Sequence, residues 1–393
     1  YWMTAEPTGS FWDCGEIIGC AYKLQVAHSP GAPLFIMVAH MFTLLAGDPS
    51  NVALMVNYMS GLFSSLTILF LFWTVTAFAK KIFNKKENEI FGADLIAIIG
   101  AGVVGALSYT FADSFWFSAV EGEVYAMSSF FTAIVFWSIL KWENVADQPN
   151  ADRWIVFGGY LIGLSIGVHL LGLLAAPAMV FVYSFRKFKP TRWNVIKTGG
   201  VAVAILGFIQ YGIIPGIPTL AAKLDILFVN DFGLPFNSGV LFLFTLLAAS
   251  VVFGLWYAVK KNNHILHTAI LTVLYIMIGY SSYLMVVIRA NANPSINMSA
   301  PKDPIALLSY LNREQYGERP LAYGHTFTAE PIAIDRESGE KRYYRGKDKY
   351  EFLDRKPILK YSPADEIPFP RVWDNDDPSH VRFYRNWLGL REG

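Results

Sequence analysis

VALMVNYMSGLFSSLTILFLFWTVTAFA, residues 52–79, runs for 28 positions without a charged side chain and stops on Lys80-Lys81. A helix needs about 20 apolar residues to cross the hydrocarbon core of a bilayer, so this segment by itself argues for a membrane protein. Working outward, the same rule finds spans near 91–110, 123–140, 194–216, 237–259 and 267–288. The run from Trp154 to Phe185 is interrupted by Gly167, Gly172 and Pro177. It reads as two short segments, 154–168 and 171–185, meeting around His169. Pro33 to Gly47 is apolar but short, which suits an interfacial or re-entrant helix.

The composition agrees. Charged residues make up 16% of the 393 positions, against about 25% in soluble domains. With 32 Lys+Arg and 31 Asp+Glu, the net charge of +1 lacks the basic footprint of a nucleic-acid binder. Two cysteines exclude a disulfide scaffold and a zinc site built on thiolates alone. The charges are unevenly placed: 33 of the 63 fall after position 288. The expected organisation is a multi-span membrane domain over 1–288, with a first external loop over 1–50, followed by an extracytoplasmic soluble domain over 289–393. In that domain Pro304–Tyr316 reads as a short helix, Lys341–Leu353 as a β-hairpin and Pro363–Trp373 as irregular. Tyr1-Trp2-Met3 reads as the end of an earlier span. No internal repeat stands out.

Orientation follows from the cations. Lys and Arg concentrate in cytoplasmic loops, so Lys80-Lys81…Lys85-Lys86, Arg186-Lys187…Lys189…Arg192 and Lys260-Lys261 should share one side. They do so only if 154–185 is a hairpin. Residues 1–50, 111–122, the His169 tip, 217–236 and everything after Arg289 then lie outside.

That outer side collects ionisable groups among aromatics. Ser10-Phe11-Trp12-Asp13-Cys14-Gly15-Glu16 sets two carboxylates three residues apart, on one face of a helix. Val120-Glu121-Gly122-Glu123-Val124 gives two more beside a helix that enters the membrane. Such acids are functional candidates by default: a half-buried carboxyl can become a general base, and paired carboxylates also suit a divalent cation. The plainer alternative is an aromatic belt with solvated acids, Glu121 or Glu123 serving as a helix cap. His28 lies in a Pro/Gly turn able to aim a side chain. His169 stands at the hairpin tip, while Arg289 and Asn291 end the last span; Arg289 suits either a lipid phosphate or an interface anchor. Cys14 and Cys20, six apart, read as structural.

These words also resemble a known family. Ser10–Glu16, Tyr22-Lys23-Leu24-Gln25-Val26, His28–Phe35, Val120–Ala126, Gly167-Val168-His169-Leu170-Leu171, Tyr283–Pro294 and Leu311–Gly317 are similar to the ordered motifs of family 2723 of the domains of unknown function. That family is abundant in Bacteroidetes and grouped with glycosyltransferase family 117, whose eukaryotic relative is an O-mannosyltransferase. Family members commonly have Pro where Ser29 stands and Ala where Gly122 stands; they also usually carry an earlier span and run well past Gly393.

The resemblance implies an all-α polytopic membrane protein of the GT-C type glycosyltransferase fold, with a small mixed α/β extracytoplasmic domain. It implies an inner-membrane enzyme, its active site facing the periplasm, moving a sugar such as mannose from a polyprenyl-phosphate carrier to Ser or Thr of an exported protein. Its partners would be that lipid-linked sugar, the acceptor protein and membrane lipids, with no nucleic acid. Asp13 would be the general base, and Glu16 would orient the acceptor or tune Asp13. Arg289 and His28 would neutralise the leaving phosphate. Glu121 and Glu123 would hold sugar hydroxyls, with His169 and Asn291 also in the substrate site. A metal is neither required nor excluded. The competing readings are a non-enzymatic scaffold of a secretion or motility complex, and an ion-coupled transporter with repeated halves. The transferase reading predicts that Asp13, Glu121 and His169 converge.

Overall fold

The computed structural model describes residues 1–85, 87–317, 320, 322–370 and 378–389. They fall into two compact units: 1–224 with 240–311, and 225–239 with 312–393. Lys86 and residues 371–373, which fell within expected elements, lie outside the described residues.

Short helices come first: α1 (Cys14–Lys23) and α2 (Pro33–Thr43), before the long α3 (Val52–Phe83). After α4 (Ala93–Thr110) and the short α5 (Asp113–Ala119) come α6 (Val124–Val145), α7 (Arg153–Ile166) and α8 (Ala175–Lys187). The remainder are α9 (Arg192–Gly207), α10 (Gly216–Asn230), α11 (Ser238–Lys260), α12 (His264–Tyr280), α13 (Leu284–Asn291) and α14 (Pro304–Leu311). Among the described residues, seven helical stretches are long and apolar enough to cross a membrane. The protein is therefore a multi-pass membrane protein. Its interior is built to match: α3 turns Asn57, Ser60, Ser64 and Thr67 inward while Leu62, Leu69 and Trp73 face outward. Small and polar residues on the packed face and apolar ones on the lipid face are what helix association in lipid favours.

Contacts tie the helix ends into two groups. Lys81 pairs with Glu143, Arg186 with Asp147, and Asp152 accepts from both Trp142 Nε1 at 3.2 Å and Thr268 Oγ1 at 2.9 Å. The expected gathering of cationic ends is thus seen for α3, α6, α7, α8 and α12. At the other end, Tyr1 Oη donates to the Thr110 carbonyl at 2.9 Å and Glu6 N–H to that of Val120 at 3.0 Å. Asn57 Nδ2 donates to the Glu6 and Thr8 carbonyls, and Leu34 N–H reaches the Gly167 carbonyl at 2.8 Å. The hairpin reading of 154–185 fits these contacts. The break falls at His169, in extended backbone, followed by a 3₁₀ turn Leu170–Leu174. At 14 residues α7 is ~21 Å long, short of a full crossing. It packs parallel to α12 through Gly159-x-x-x-Gly163: a Cβ on Gly163 would lie 2.2 Å from the Ile276 carbonyl oxygen, and one on Gly279 2.5 Å from Leu164 N. Two backbones can approach this closely only where glycine removes the side chain.

The structure corrects the expected loop 217–236. The chain leaves α9 through a π-helical turn, Phe208–Ile213, and α10 then continues to Asn230. Lys223 and Asp225 made this segment look like a loop. Asp225 is fully buried because its carboxylate accepts the backbone N–H groups of Asn237 (3.0 Å) and Gly239 (2.9 Å) at the start of α11.

The second unit holds three two-stranded antiparallel sheets, pairing β1 (Tyr323–His325) with β6 (Glu366–Pro368), β2 (Ala333–Asp335) with β5 (Ile358–Lys360), and β3 (Lys341–Arg345) with β4 (Tyr350–Arg355), then α15 (Pro378–Leu388). The β3–β4 hairpin falls where the sequence placed one. Asn230 exchanges hydrogen bonds with the Tyr350 backbone at 2.8 and 2.9 Å, and Tyr350 Oη donates to Asp225 at 2.7 Å. The C-terminal segment of this unit starts at Asn312, and residues 289–311 fall in the helical unit, where Tyr310 is buried and donates to the Ala27 carbonyl at 2.6 Å.

Candidate active site

The site is assembled on the first turn of α1. Cys14, Ile17, Ile18 and Ala21, at i, i+3, i+4 and i+7, form its buried stripe. That stripe leaves Asp13, just before the helix, and Glu16, in its first turn, at the outer edge. Carboxylates there are favoured by the positive end of the helix dipole. The chain turns back after α1, bringing His28 onto Glu16: His28 N–H donates to Glu16 Oε1 at 2.6 Å and its Nδ1 lies 3.1 Å from Oε2. On the other side of the ring, Nε2 is 3.7 Å from Asp13 Oδ2. Asp13 is the accessible member, its side chain 60% exposed against 28% for His28.

The turn carrying His28 is fixed from the far end of the unit. Tyr310 Oη donates to the carbonyls of Ala27 and, at 3.3 Å, His28, and Ser29 Oγ donates to the Tyr310 carbonyl at 2.5 Å. Gly31 has φ +73°, and a Cβ there would sit 2.3 Å from the Tyr310 hydroxyl. Glycine is required by both conformation and space.

A second pair of acids lies beneath the first. Glu121 and Glu123 are 4% and 6% exposed, and both precede the membrane-spanning α6. Cys14 Sγ–H donates to Glu121 Oε2 at 3.7 Å, and Glu123 Oε2 caps α6 by accepting Val124 N–H at 3.3 Å. Glu123 Oε1 is buried without a hydrogen-bond partner. Burial pushes the Glu123 carboxyl up to about 7, and the nearby charges of Asp13 and Glu121 add to the rise. Burial also raises Glu121, against the opposing hydrogen bonds of Ser10 and Cys14. The cap expected as the plain alternative is therefore real for Glu123, yet it employs only one oxygen.

The other candidates are placed differently. His169 Nδ1 accepts Leu171 N–H at 3.2 Å, and its ring stands 5.5 Å from that of Tyr125, the second residue of α6. Tyr125 and Leu171 in turn line a cavity of about 450 Å3 with Thr67, Tyr109, Ser128 and Leu174. Arg289 is not gathered with the acids. Its guanidinium donates to the Leu24 carbonyl at 2.5 Å and the Lys23 carbonyl at 3.2 Å, closing the opposite end of α1. Asn291 Nδ2 donates to the carbonyls of Val287 and Lys302. Both side chains are engaged with backbone carbonyls, and neither is brought to the acids by these contacts.

Sequence reading missed the roles of Cys14, Ser29, Asn57 and Tyr310. Cys14 is fully buried, and burial raises its thiol strongly, so it stays protonated and serves as a donor. A Cβ on Gly122 would stand 3.0 Å from Asn57 Oδ1 and 3.1 Å from side-chain carbons of Ile18 and Val56. The i, i+3 stripe of α1 could have flagged Cys14; the long-range partners had no local signal.

The ligand atoms of Asp13, Glu16 and His28 lie within 4.8 Å of one another. One imidazole and two carboxylates form a set that a borderline divalent cation accepts.

Residues 13–192 match the family model of the protein O-mannosyl-transferase TMEM260 N-terminal domain. The match spans every acid of the site. It also includes His28 and His169 and ends well before Arg289. Residues 317–393 match a family of unknown function, DUF8416. Similar proteins include protein O-mannosyl-transferase tmem260 of Dictyostelium discoideum, 25% identical over 223 residues that make up 54% of this chain and 25% of that protein. Protein O-mannosyl-transferase TMEM260 of Mus musculus is 27% identical over 154 residues, 39% of this chain and 19% of the mouse protein. The chain thus aligns with a quarter or less of the length of these relatives. No solved structure matches.

Proposed function

We propose that the chain is the membrane part of a GT-C type protein O-glycosyltransferase. It would move mannose from a polyprenyl-phosphate carrier to Ser or Thr of exported proteins, on the periplasmic face of the inner membrane. The observation that carries this reading is the braced cluster of Asp13, Glu16 and His28 over buried Glu121 and Glu123, within the stretch similar to an O-mannosyl-transferase domain. The cationic helix ends gather at the opposite end of the bundle, which supports an external position for the acids.

In this mechanism Asp13, the exposed carboxylate, takes the proton of the acceptor hydroxyl. The hydroxyl oxygen bonds to the sugar anomeric carbon as the bond from that carbon to the phosphate oxygen breaks, and the electron pair departs with the carrier phosphate. A single displacement inverts the anomeric centre. Glu16 acts through His28, fixing the ring that stands against Asp13. His28 is the member of the cluster able to carry positive charge toward the leaving phosphate. Glu121 accepts, and Glu123 when protonated donates, hydrogen bonds to sugar hydroxyls. The 450 Å3 cavity beside Tyr125 suits the first apolar units of the carrier.

The test is transfer by the full-length protein, purified in detergent, of radiolabelled mannose from polyprenyl-phosphate-mannose to a pool of exported proteins. Label appearing on protein supports the reading. Transfer from GDP-mannose with the lipid donor inert, or no transfer from any lipid-linked sugar by folded protein, would reject it in favour of another donor or a scaffold.

A further inference from the structure

A cavity of about 750 Å3 opens at the cationic end of the helical unit, away from the acids. Its walls include Asp152 and Arg153 at the start of α7, Lys187 at the end of α8, and His264, His267 and Thr268 at the start of α12. Three cations at this end are neutralised, Lys81 by Glu143, Lys85 by Asp94 and Arg186 by Asp147, and none of the three carries the charge of this cavity's wall. Arg153 and Lys187 differ. Among the described residues neither is paired with a carboxylate; Arg153 lies 5.9 Å from the Trp154 ring and Lys187 5.8 Å from that of Trp142. The acid in the same wall, Asp152, is hydrogen-bonded by Trp142 and Thr268 rather than paired with either cation, and two cations against this one carboxylate leave the wall positive.

The helix geometry adds to this charge. Because glycines lock α7 and α12 in parallel, their N-termini stand side by side, joined by the Asp152–Thr268 hydrogen bond. Two positive dipole ends therefore face the same space as two cations without an ion-pair partner and two imidazoles. Two to three turns farther along the same helices, Tyr160 and Tyr275 meet edge-on at 6.1 Å and also line the cavity. The space is cationic at its mouth and aromatic within, of a size that takes a ligand group.

We propose that this cavity is a binding site for the phosphate of an anionic phospholipid, with the glycerol backbone and acyl chains running toward Tyr160 and Tyr275. Basic pockets between spanning helices on the cytoplasmic side bind lipid headgroups for the same electrostatic reason. The position at the end of spanning helices favours a lipid over a soluble phosphate compound. The site is separate from the transfer centre, so its test does not depend on that reading.

The full-length protein would be delipidated in detergent, reloaded with an equal mixture of phosphatidylglycerol and phosphatidylcholine, and the retained lipid read by native mass spectrometry. The wild type should retain phosphatidylglycerol in preference. The pair Arg153→Gln with Lys187→Gln should lower that retention roughly ten-fold, while Lys81→Gln with Arg186→Gln, which removes paired cations, should leave it within two-fold. Exposed Lys187→Gln alone should give an intermediate loss, which guards against misfolding of the pair. Equal retention of the two lipids, or equal losses in the two variant pairs, would overturn the site. Displacement of the lipid by millimolar glycerol 1-phosphate would overturn its assignment to a phospholipid.

Discussion

Replacing Glu123 by Gln should remove most of the pH dependence of this protein's stability between pH 5 and pH 8. The side chain is 6% exposed, one oxygen caps α6 and the other is buried without a partner. Burial, reinforced by Asp13 and Glu121, lifts the carboxyl from 4.5 to about 7. The folded state therefore binds this proton more tightly than the unfolded chain. The stabilisation is complete below about 4.5 and disappears as pH rises through about 7, so the protein loses stability toward alkaline pH. A displacement of that size corresponds to roughly 2–3 kcal/mol between pH 5 and pH 8. Glutamine keeps the shape and the acceptor for Val124 N–H but carries no charge, so Glu123→Gln should be more stable than wild type at pH 8 and about equal at pH 5. The assay is unfolding in detergent micelles at both pH values, followed by tryptophan fluorescence, with Glu16→Gln as the solvent-reaching comparison. A variant that keeps the wild-type pH slope, or is less stable at pH 8, would refute the assignment.

Three further substitutions test the packing around the site. Gly122→Ala puts a methyl 3.0–3.1 Å from Asn57, Ile18 and Val56 and should cost roughly 1–3 kcal/mol, seen as a lower melting temperature with the acids unchanged. Gly163→Ala collides with the Ile276 carbonyl; it should force α7 and α12 apart and sharply lower the yield of folded protein on size-exclusion chromatography. Arg289→Gln removes two bonds to the end of α1 and should lower the melting temperature while transfer per folded molecule stays within a few-fold; a loss of several hundred-fold would restore Arg289 to the phosphate.

The spans were legible because apolar length is a local property. The run over 52–79 became α3, and the hairpin at His169 followed from cation counting, which is also local. What the sequence misplaced was decided by distant partners. Asp225 looked like a loop acid because its donors, Asn237 and Gly239, stand a dozen residues on. For Arg289, nothing nearby announces that its guanidinium binds the end of a helix more than 260 residues earlier. Asp13 and Glu16 were visible as an i, i+3 pair. The bracing of His28 by Tyr310, and the sealing of Glu121 by Cys14, depend on contacts across the unit that no spacing rule reports.

The most direct test of the account is the initial rate of mannose transfer from polyprenyl-phosphate-mannose by the Asp13→Asn full-length protein. Asp13 is exposed and contributes little packing, so the variant should fold and melt as the wild type does. Its rate should fall by roughly two to four orders of magnitude, the contribution of a positioned general base. A rate within a few-fold of wild type, with folding intact, would contradict the mechanism built on this carboxylate.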